Sequence, residues 1–295
     1  MGLLDGKVAL VTGAGGGLGR AHALLLAKEG AAVVVNDLGG ARDGTGGSAS
    51  MADQVVAEIK SAGGRAVADY GSVSDGKAAA AMVKAGVDAF GHLDIVINNA
   101  GILRDKSFKN MTDDMWDVIM AVHLRGTYLV TKAAFDLMLA QNTGGAIVMT
   151  SSTSGLLGNF GQTNYGAAKA GTAGFMRCLA LEGARYNIRV NVLVPTAFSR
   201  LTEDILPPDP KLQDALAPEK VSPAVVWQCS DEAKGVTGRQ FLVNGNSVAL
   251  LSWQAHQLAV RPNDEAPWDV AEVGKLIGNS VEKWPKIGMP PMQSL

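Results

Sequence analysis

Tyr165 and Lys169 stand four residues apart. On a helix that spacing advances about 400°, so the two side chains share one face, offset by roughly 40°. A phenol with a reference pKa of about 10 is a poor base at neutral pH, and a neighbouring ammonium favours its phenolate. Tyr165 is thereby a candidate general acid/base. An isolated Tyr-x-x-x-Lys occurs on many exposed helices. This one gains weight from Ser152, thirteen residues upstream, and from a glycine turn near the start of the chain.

That turn, Thr12-Gly13-Ala14-Gly15-Gly16-Gly17-Leu18-Gly19, follows a short apolar run and opens a helix-like stretch. Glycines there let the backbone approach a pyrophosphate, whose charge settles on the helix N-terminal N–H groups. Eighteen residues beyond Gly19 the next apolar run ends in Asp37. A carboxylate at that point accepts both ribose hydroxyls and repels a 2′-phosphate, which favours NAD over NADP, with Arg42 the one nearby counter-argument. Asn98-Asn99-Ala100-Gly101 closes a further run, where side-chain amides can hold a turn and Gly101 leaves room for a cofactor ring.

The elements that must carry these residues are legible as alternation. Val8 to Val11, Ala32 to Asn36, Ile95 to Asn98, Ala146 to Thr150, Ile188 to Val194 and Phe241 to Val243 are compact apolar runs suited to buried parallel strands. Between them Leu18 to Gly30, Met51 to Ala62, Lys77 to Phe90, Tyr128 to Gln141 and Thr163 to Ala184 have helical length and composition. This predicts an α/β fold, a single Rossmann-type doubly wound parallel sheet over residues 1–245. Two loops interrupt it: Leu38 to Ser50, rich in Gly and Ser, and Phe198 to Pro223, whose prolines at 207, 208, 210, 218 and 223 make it a candidate substrate lid. Residues 246–295 read as a C-terminal extension without strand-helix alternation, docked on the domain or a partner subunit through Trp253, Trp268 and Trp284.

Composition narrows the partners. Of 295 residues 47% are hydrophobic and 18% charged, with 26 basic against 28 acidic side chains, a balance that favours a small-molecule ligand over nucleic acid. Cys178 and Cys229, like the scattered His22, His92, His123 and His256, show no metal-ligand spacing, so no metal is expected. No apolar run approaches the roughly 18 residues needed to span a bilayer, and no signal peptide opens the chain, so a cytoplasmic protein is expected.

Taken in order, Thr12-Gly13-x-x-x-Gly17-x-Gly19, Asn98-Asn99-Ala100-Gly101, Ser152 and Tyr165-x-x-x-Lys169 resemble the short-chain dehydrogenase/reductase family over about residues 5–245. Within it, Val35 to Gly40, Gly101 to Asp105, His123 to Gly126 and Gly158 to Gln162 resemble a (3R)-hydroxyacyl-CoA dehydrogenase type that has also been called a 17β-hydroxysteroid dehydrogenase. The resemblance implies NAD-dependent oxidation of a 3-hydroxyacyl-CoA, as in β-oxidation. It also implies that Ser152 orients the substrate oxygen, Tyr165 exchanges the proton, and Lys169 both lowers the Tyr165 pKa and holds the nicotinamide ribose. Matching cofactor positions are Gly13, Gly17, Leu18, Gly19, Asp37, Ser72, Val73, Asn99, Gly101 and Thr196. A free steroid or other secondary-alcohol dehydrogenase is the alternative, and a silent NAD-binding sensor or scaffold a third. The family further implies a homodimer or homotetramer, and the small residues from Gly166 to Gly174 suit a close helix-helix interface. Three departures stand out: His123 where many members have Asn, Gly71 where an adenine-binding Asp is frequent, and Pro195-Thr196-Ala197 in place of Pro-Gly.

Overall fold

The computed structural model describes residues 2–198, 209–255, 257–262, 265–278, 280, 282 and 284. Strands β1 (Val8–Thr12), β2 (Ala32–Asn36), β3 (Arg65–Asp69), β4 (Ile95–Asn98), β5 (Gly145–Thr150), β6 (Ile188–Thr196), β7 (Gln240–Asn244) and β8 (Ser247–Leu251) form one sheet in the order 3-2-1-4-5-6-7-8. All pairings are parallel except β7 with β8. The helices are α1 (Gly17–Lys28), α2 (Ser50–Ser61), α3 (Gly76–Phe90), α4 (Asp113–Ile119), α5 (Gly126–Gln141), α6 (Thr153–Leu156), α7 (Thr163–Gly183), α8 (Pro210–Ala215), α9 (Ser222–Cys229) and α10 (Val270–Gly278).

Strand alternation divides the apolar side chains into two cores. Ala9 and Val11 of β1 join Val33 and Val35 of β2 under α1, α2 and α9, with Leu26, Val55 and Val225. Val8 and Leu10 face the other way, with Val34 and Val96, against Met82 of α3, Val130 and Met138 of α5 and Met176 of α7. Burial on both faces explains why the central strands are continuous apolar runs. It also explains why β3 escapes the sequence pattern: Arg-Ala-Val-Ala-Asp is an edge strand with one fully buried residue.

Three further elements depart from expectation. The helix expected from Tyr128 begins at Asp113 and runs through a π-helical turn, Met120–Arg125, into α5; Gly126 reads as a breaker in sequence but continues the helix. The sheet extends past residue 245, since Gly245 (φ +53°) and Asn246 turn the chain into antiparallel β8. A two-residue Gly-Asn loop is a hairpin signal. The extension also carries α10, so it does have regular structure. Of the proline-rich segment, Pro207 and Pro208 lie outside the described residues, as do Pro285, Pro290, Pro291 and His256 of the extension. Pro210, Pro218 and Pro223 each sit in the first turn of a short helical piece, where the missing N–H costs nothing. Among the described residues no helix is long and apolar enough to cross a membrane.

Candidate functional site

The chain winds β1-β2-β3 outward in one direction, then returns to place β4 on the other side of β1. Strand order reverses between β1 and β4, and the crevice beyond their C-terminal ends is where doubly wound sheets bind ligands. A cleft of about 290 Å³ lies there, its walls including Gly13, Gly17, Leu18, Asp37, Ser72, Val73, Asn99 and Gly101.

Local packing shows why these residue types stand here. Gly13 adopts φ +64°, and a Cβ on it would lie 2.7 Å from Ala100 Cα. The two turns are locked together: Asn99 Nδ2 donates to the carbonyls of Thr12 and Gly13, both at 3.1 Å, while Thr12 Oγ1 accepts from the Asn99 and Ala100 N–H groups. Gly19 lies behind the cleft, directly beneath the Gly13 carbonyl. Helix α1 begins with no side-chain cap and no acidic residue in its first turn, leaving its N–H groups for an anion. Asp37 accepts from Gly15 N–H and Gly39 N–H, both at 2.7 Å, so two of its roughly four lone-pair sites remain for ribose hydroxyls. The donor set therefore fits a dinucleotide.

Position 71 is Gly, and Asp69 at the end of β3 holds the backbone there. Its carboxylate accepts from Asn36 Nδ2 at 2.7 Å and Gly71 N–H at 2.9 Å, bracing the wall that carries Ser72 and Val73. Thr196, at the end of β6, does not line this cleft.

Ser152, Tyr165 and Lys169 gather at the end of β5. Ser152 caps α6, its Oγ accepting from Ser154 N–H at 3.2 Å, and its side chain stands close enough to the Tyr165 phenol to favour the phenolate. Lys169 is buried; its Nζ donates to the Thr150 carbonyl at 2.6 Å and stands 5.5 Å from the Tyr165 ring centroid. Burial pushes Tyr165 up to about 12 against the Ser152 hydroxyl, with the Asp105 charge adding to the rise. That direction is opposite to the one expected from the lysine alone. The ammonium is itself desolvated, its pKa brought down to about 7, and it is held by Thr150 rather than at the phenol oxygen.

His123 joins the two halves of the site. The π-helical turn points it inward, 2% exposed, with its ring edge-on to Tyr165. Its Nε2 lies 2.7 Å from the Ile102 carbonyl, to which an Nε2–H donates. A Cβ on Gly101 would lie 2.5 Å from its Cε1, so this glycine makes room for an imidazole as well as for a ligand. Burial, with the Lys169 charge, lowers its pKa to about 3, and it is neutral. Sequence reasoning left Asp105 and Gln162 without a role, although both fall in motifs quoted for the family resemblance; they reach the site only through the fold.

A glycine turn at the switch point and a Ser/Tyr/Lys cluster at the neighbouring strand end define a nicotinamide-dinucleotide oxidoreductase that acts on a secondary alcohol. Within that class, residues 7–203 match the family described as short chain dehydrogenase, and the chain belongs to it. It is 52% identical over 250 residues to mouse (Mus musculus) peroxisomal multifunctional enzyme type 2, covering 85% of this chain but 33% of that protein. It is 41% identical over 281 residues to hydroxyacyl-CoA dehydrogenase ChsB1 of Mycobacterium tuberculosis, covering 92% of this chain and 87% of that one. A crystal structure of a short chain dehydrogenase from Mycobacterium avium superposes with a TM-score of 0.83 at 43% identity, covering 97% of this chain and 98% of the other.

Proposed function

We propose that this chain oxidises a (3R)-3-hydroxyacyl-CoA to the 3-oxoacyl-CoA with NAD⁺. The observation that carries the substrate class is the 41% identity, over nearly the whole chain, to a protein named for hydroxyacyl-CoA. For the cofactor, support comes from the Asp37 carboxylate on the cleft wall and from Gly16 and Leu38, which put no basic group beside it. Arg42 lines the same wall, and its charge acts on Asp105.

The residues divide the work as follows. Bound nicotinamide supplies the hydride acceptor. The Ser152 hydroxyl and the Tyr165 phenol, side by side, hold the substrate oxygen between them, and Tyr165 takes its proton. Lys169 presents its ammonium beneath the Tyr165 ring, where it offsets the growing negative charge, and it would hold the ribose of a bound cofactor. With Tyr165 ionising near 12 in the free protein, oxidation gains rate as pH rises.

The working unit in this reading is a cytoplasmic homodimer or homotetramer, with 1–245 the dinucleotide-binding domain, its sheet completed by β8, and 246–295 the extension that helps assemble it. Val248 and Leu250 on β8, with Trp253 and Val260, expose apolar surface of the kind a second copy covers. NADH formation with 3-hydroxyacyl-CoA esters of short, long and steroid-side-chain type, beside free steroids and simple secondary alcohols, tests the proposal. Turnover of the free alcohols alone would replace it with the free-alcohol reading, and no turnover at all with the silent sensor.

A further inference from the structure

The loop after β4 and the turn before α7 meet in a line of polar contacts. Gln162 is buried, and its Nε2 donates to Asp105 Oδ2 at 2.6 Å. Its Oε1 accepts from Ser154 Oγ at 2.6 Å and from Asn159 Nδ2 at 3.1 Å, a pattern that fixes the orientation of the amide. Ser154 N–H donates to Ser152 Oγ, whose hydroxyl neighbours the Tyr165 phenol. A hydroxyl has one hydrogen and two lone pairs. With one Ser152 lone pair taken by Ser154 N–H, one hydrogen and one lone pair are left to divide between Tyr165 and a substrate oxygen. What anchors Ser154 thus decides how Ser152 points.

We propose that Asp105 and Gln162 are positioning residues, which hold Ser152 and Tyr165 in register through this line of hydrogen bonds and keep the Asp105 carboxylate within reach of the phenol. This rests on reading Ser152, Tyr165 and Lys169 as the acid/base group. At the far end of the line Asp105 Oδ1 is buried with no hydrogen-bond partner among the described residues, while Oδ2 is tied to Gln162. Burial raises the Asp105 carboxyl, and the Gln162 hydrogen bond and the Arg42 charge oppose that rise. On the phenol, Asp105 acts in the same sense as burial and against the Ser152 hydroxyl. The other groups around the phenol are Lys169 on its own helix and the neutral His123 from the π-helical turn.

Asp105→Asn removes the charge and keeps an acceptor for Gln162. In NAD⁺-dependent oxidation of (3R)-3-hydroxybutyryl-CoA, the alkaline rise of kcat should move to lower pH by roughly half to one unit, with KM for NAD⁺ unchanged. Asp105→Ala and Gln162→Leu lose the anchor, and kcat should fall about tenfold, again without change in KM for NAD⁺, a size ordinary for misplaced acid/base groups. A second readout needs no turnover: NMR titration of ring-carbon-labelled tyrosine, with Tyr165 assigned by its absence in Tyr165→Phe, should show earlier ionisation in Asp105→Asn. Identical Tyr165 titrations in wild type and Asp105→Asn, or full kcat in Asp105→Ala, would overturn the proposal. If Tyr165→Phe itself keeps full turnover, it is the reading of the acid/base group that fails; if Tyr165→Phe is inactive and the two titrations coincide, only the role of Asp105 falls.

Discussion

The His123 imidazole stands edge-on to the Tyr165 ring, with centroids 5.0 Å apart and planes at 89°. The same imidazole is bonded to Ile102 in the turn that carries Gly101. One side chain thus sets the distance between the dinucleotide cleft and the phenol. Held neutral with a pKa near 3, it cannot titrate in the working range. An inflection of kcat between pH 5 and 8 should therefore belong to Lys169, brought down to about 7, and should persist in His123→Gln. A limb near 6.5 that disappears in His123→Gln would mean that His123 ionises in the cycle.

Acid stability follows from the same burial. His22 and His123 are both lowered from 6.5 to about 3, His22 with its Nδ1 2.8 Å from Ser222 Oγ. Below 6.5 the unfolded chain binds protons that the folded chain refuses. The stability these groups contribute is complete above 6.5 and is lost as pH falls toward 3, at about 1.4 kcal/mol per pH unit for each fully engaged group. Urea unfolding at pH 7.5 and 5.5 should show the loss, and His22→Gln should make it shallower. Equal slopes in the two proteins would remove His22 from this account.

Lys169 separates function from stability. Its folded pKa of about 7 lies below the ordinary 10.5, so the ammonium costs stability that is lost as pH falls from 10.5 toward 7. Lys169→Met fills similar space without the charge. Its Tm at pH 7 should equal or exceed that of wild type, each 1 kcal/mol being worth about 2–4 °C at this size, while turnover falls by two orders of magnitude or more. A variant that melts several degrees lower would show that the Thr150 bond outweighs the desolvation.

In the proposed reading cofactor choice turns on Asp37. NAD⁺ should exceed NADP⁺ in kcat/KM, because a 2′-phosphate would sit against this carboxylate. Asp37→Asn should narrow the preference while keeping an acceptor for the Gly15 or Gly39 N–H. Equal use of NADP⁺ by wild type would point to Arg42 as a phosphate ligand.

The extension can be cut where the sheet ends. Trp253 rests under the Arg177 guanidinium, 5.7 Å from the ring centroid, which ties the segment after β8 to α7. Truncation after Leu251 preserves β8, and should lower Tm and the assembly state while altering KM for bulky acyl substrates more than KM for NAD⁺. Unchanged mass by light scattering, together with an unchanged Tm and both KM values, would make the segment dispensable.

Sequence alone determined the parts whose code is local. The glycine turn, Asp37 and the Tyr165–Lys169 spacing are legible because each depends on a few adjacent residues, and the central strands because burial on both faces demands unbroken apolar runs. Strands β3 and β8 were not legible in that way, since a sheet edge is half-exposed and its pairing is decided by a neighbour far along the chain. The π-helical turn that aims His123 left no signal apart from Gly126, which suggests the wrong thing. Only the tertiary structure decided that Tyr165 is raised rather than lowered, because desolvation depends on what surrounds the phenol and not on the lysine four residues away. It alone brought Asp105 and Gln162, 57 residues apart, into one line with Ser152. Such contacts depend on where two loops end above the sheet, and no spacing in the chain encodes that.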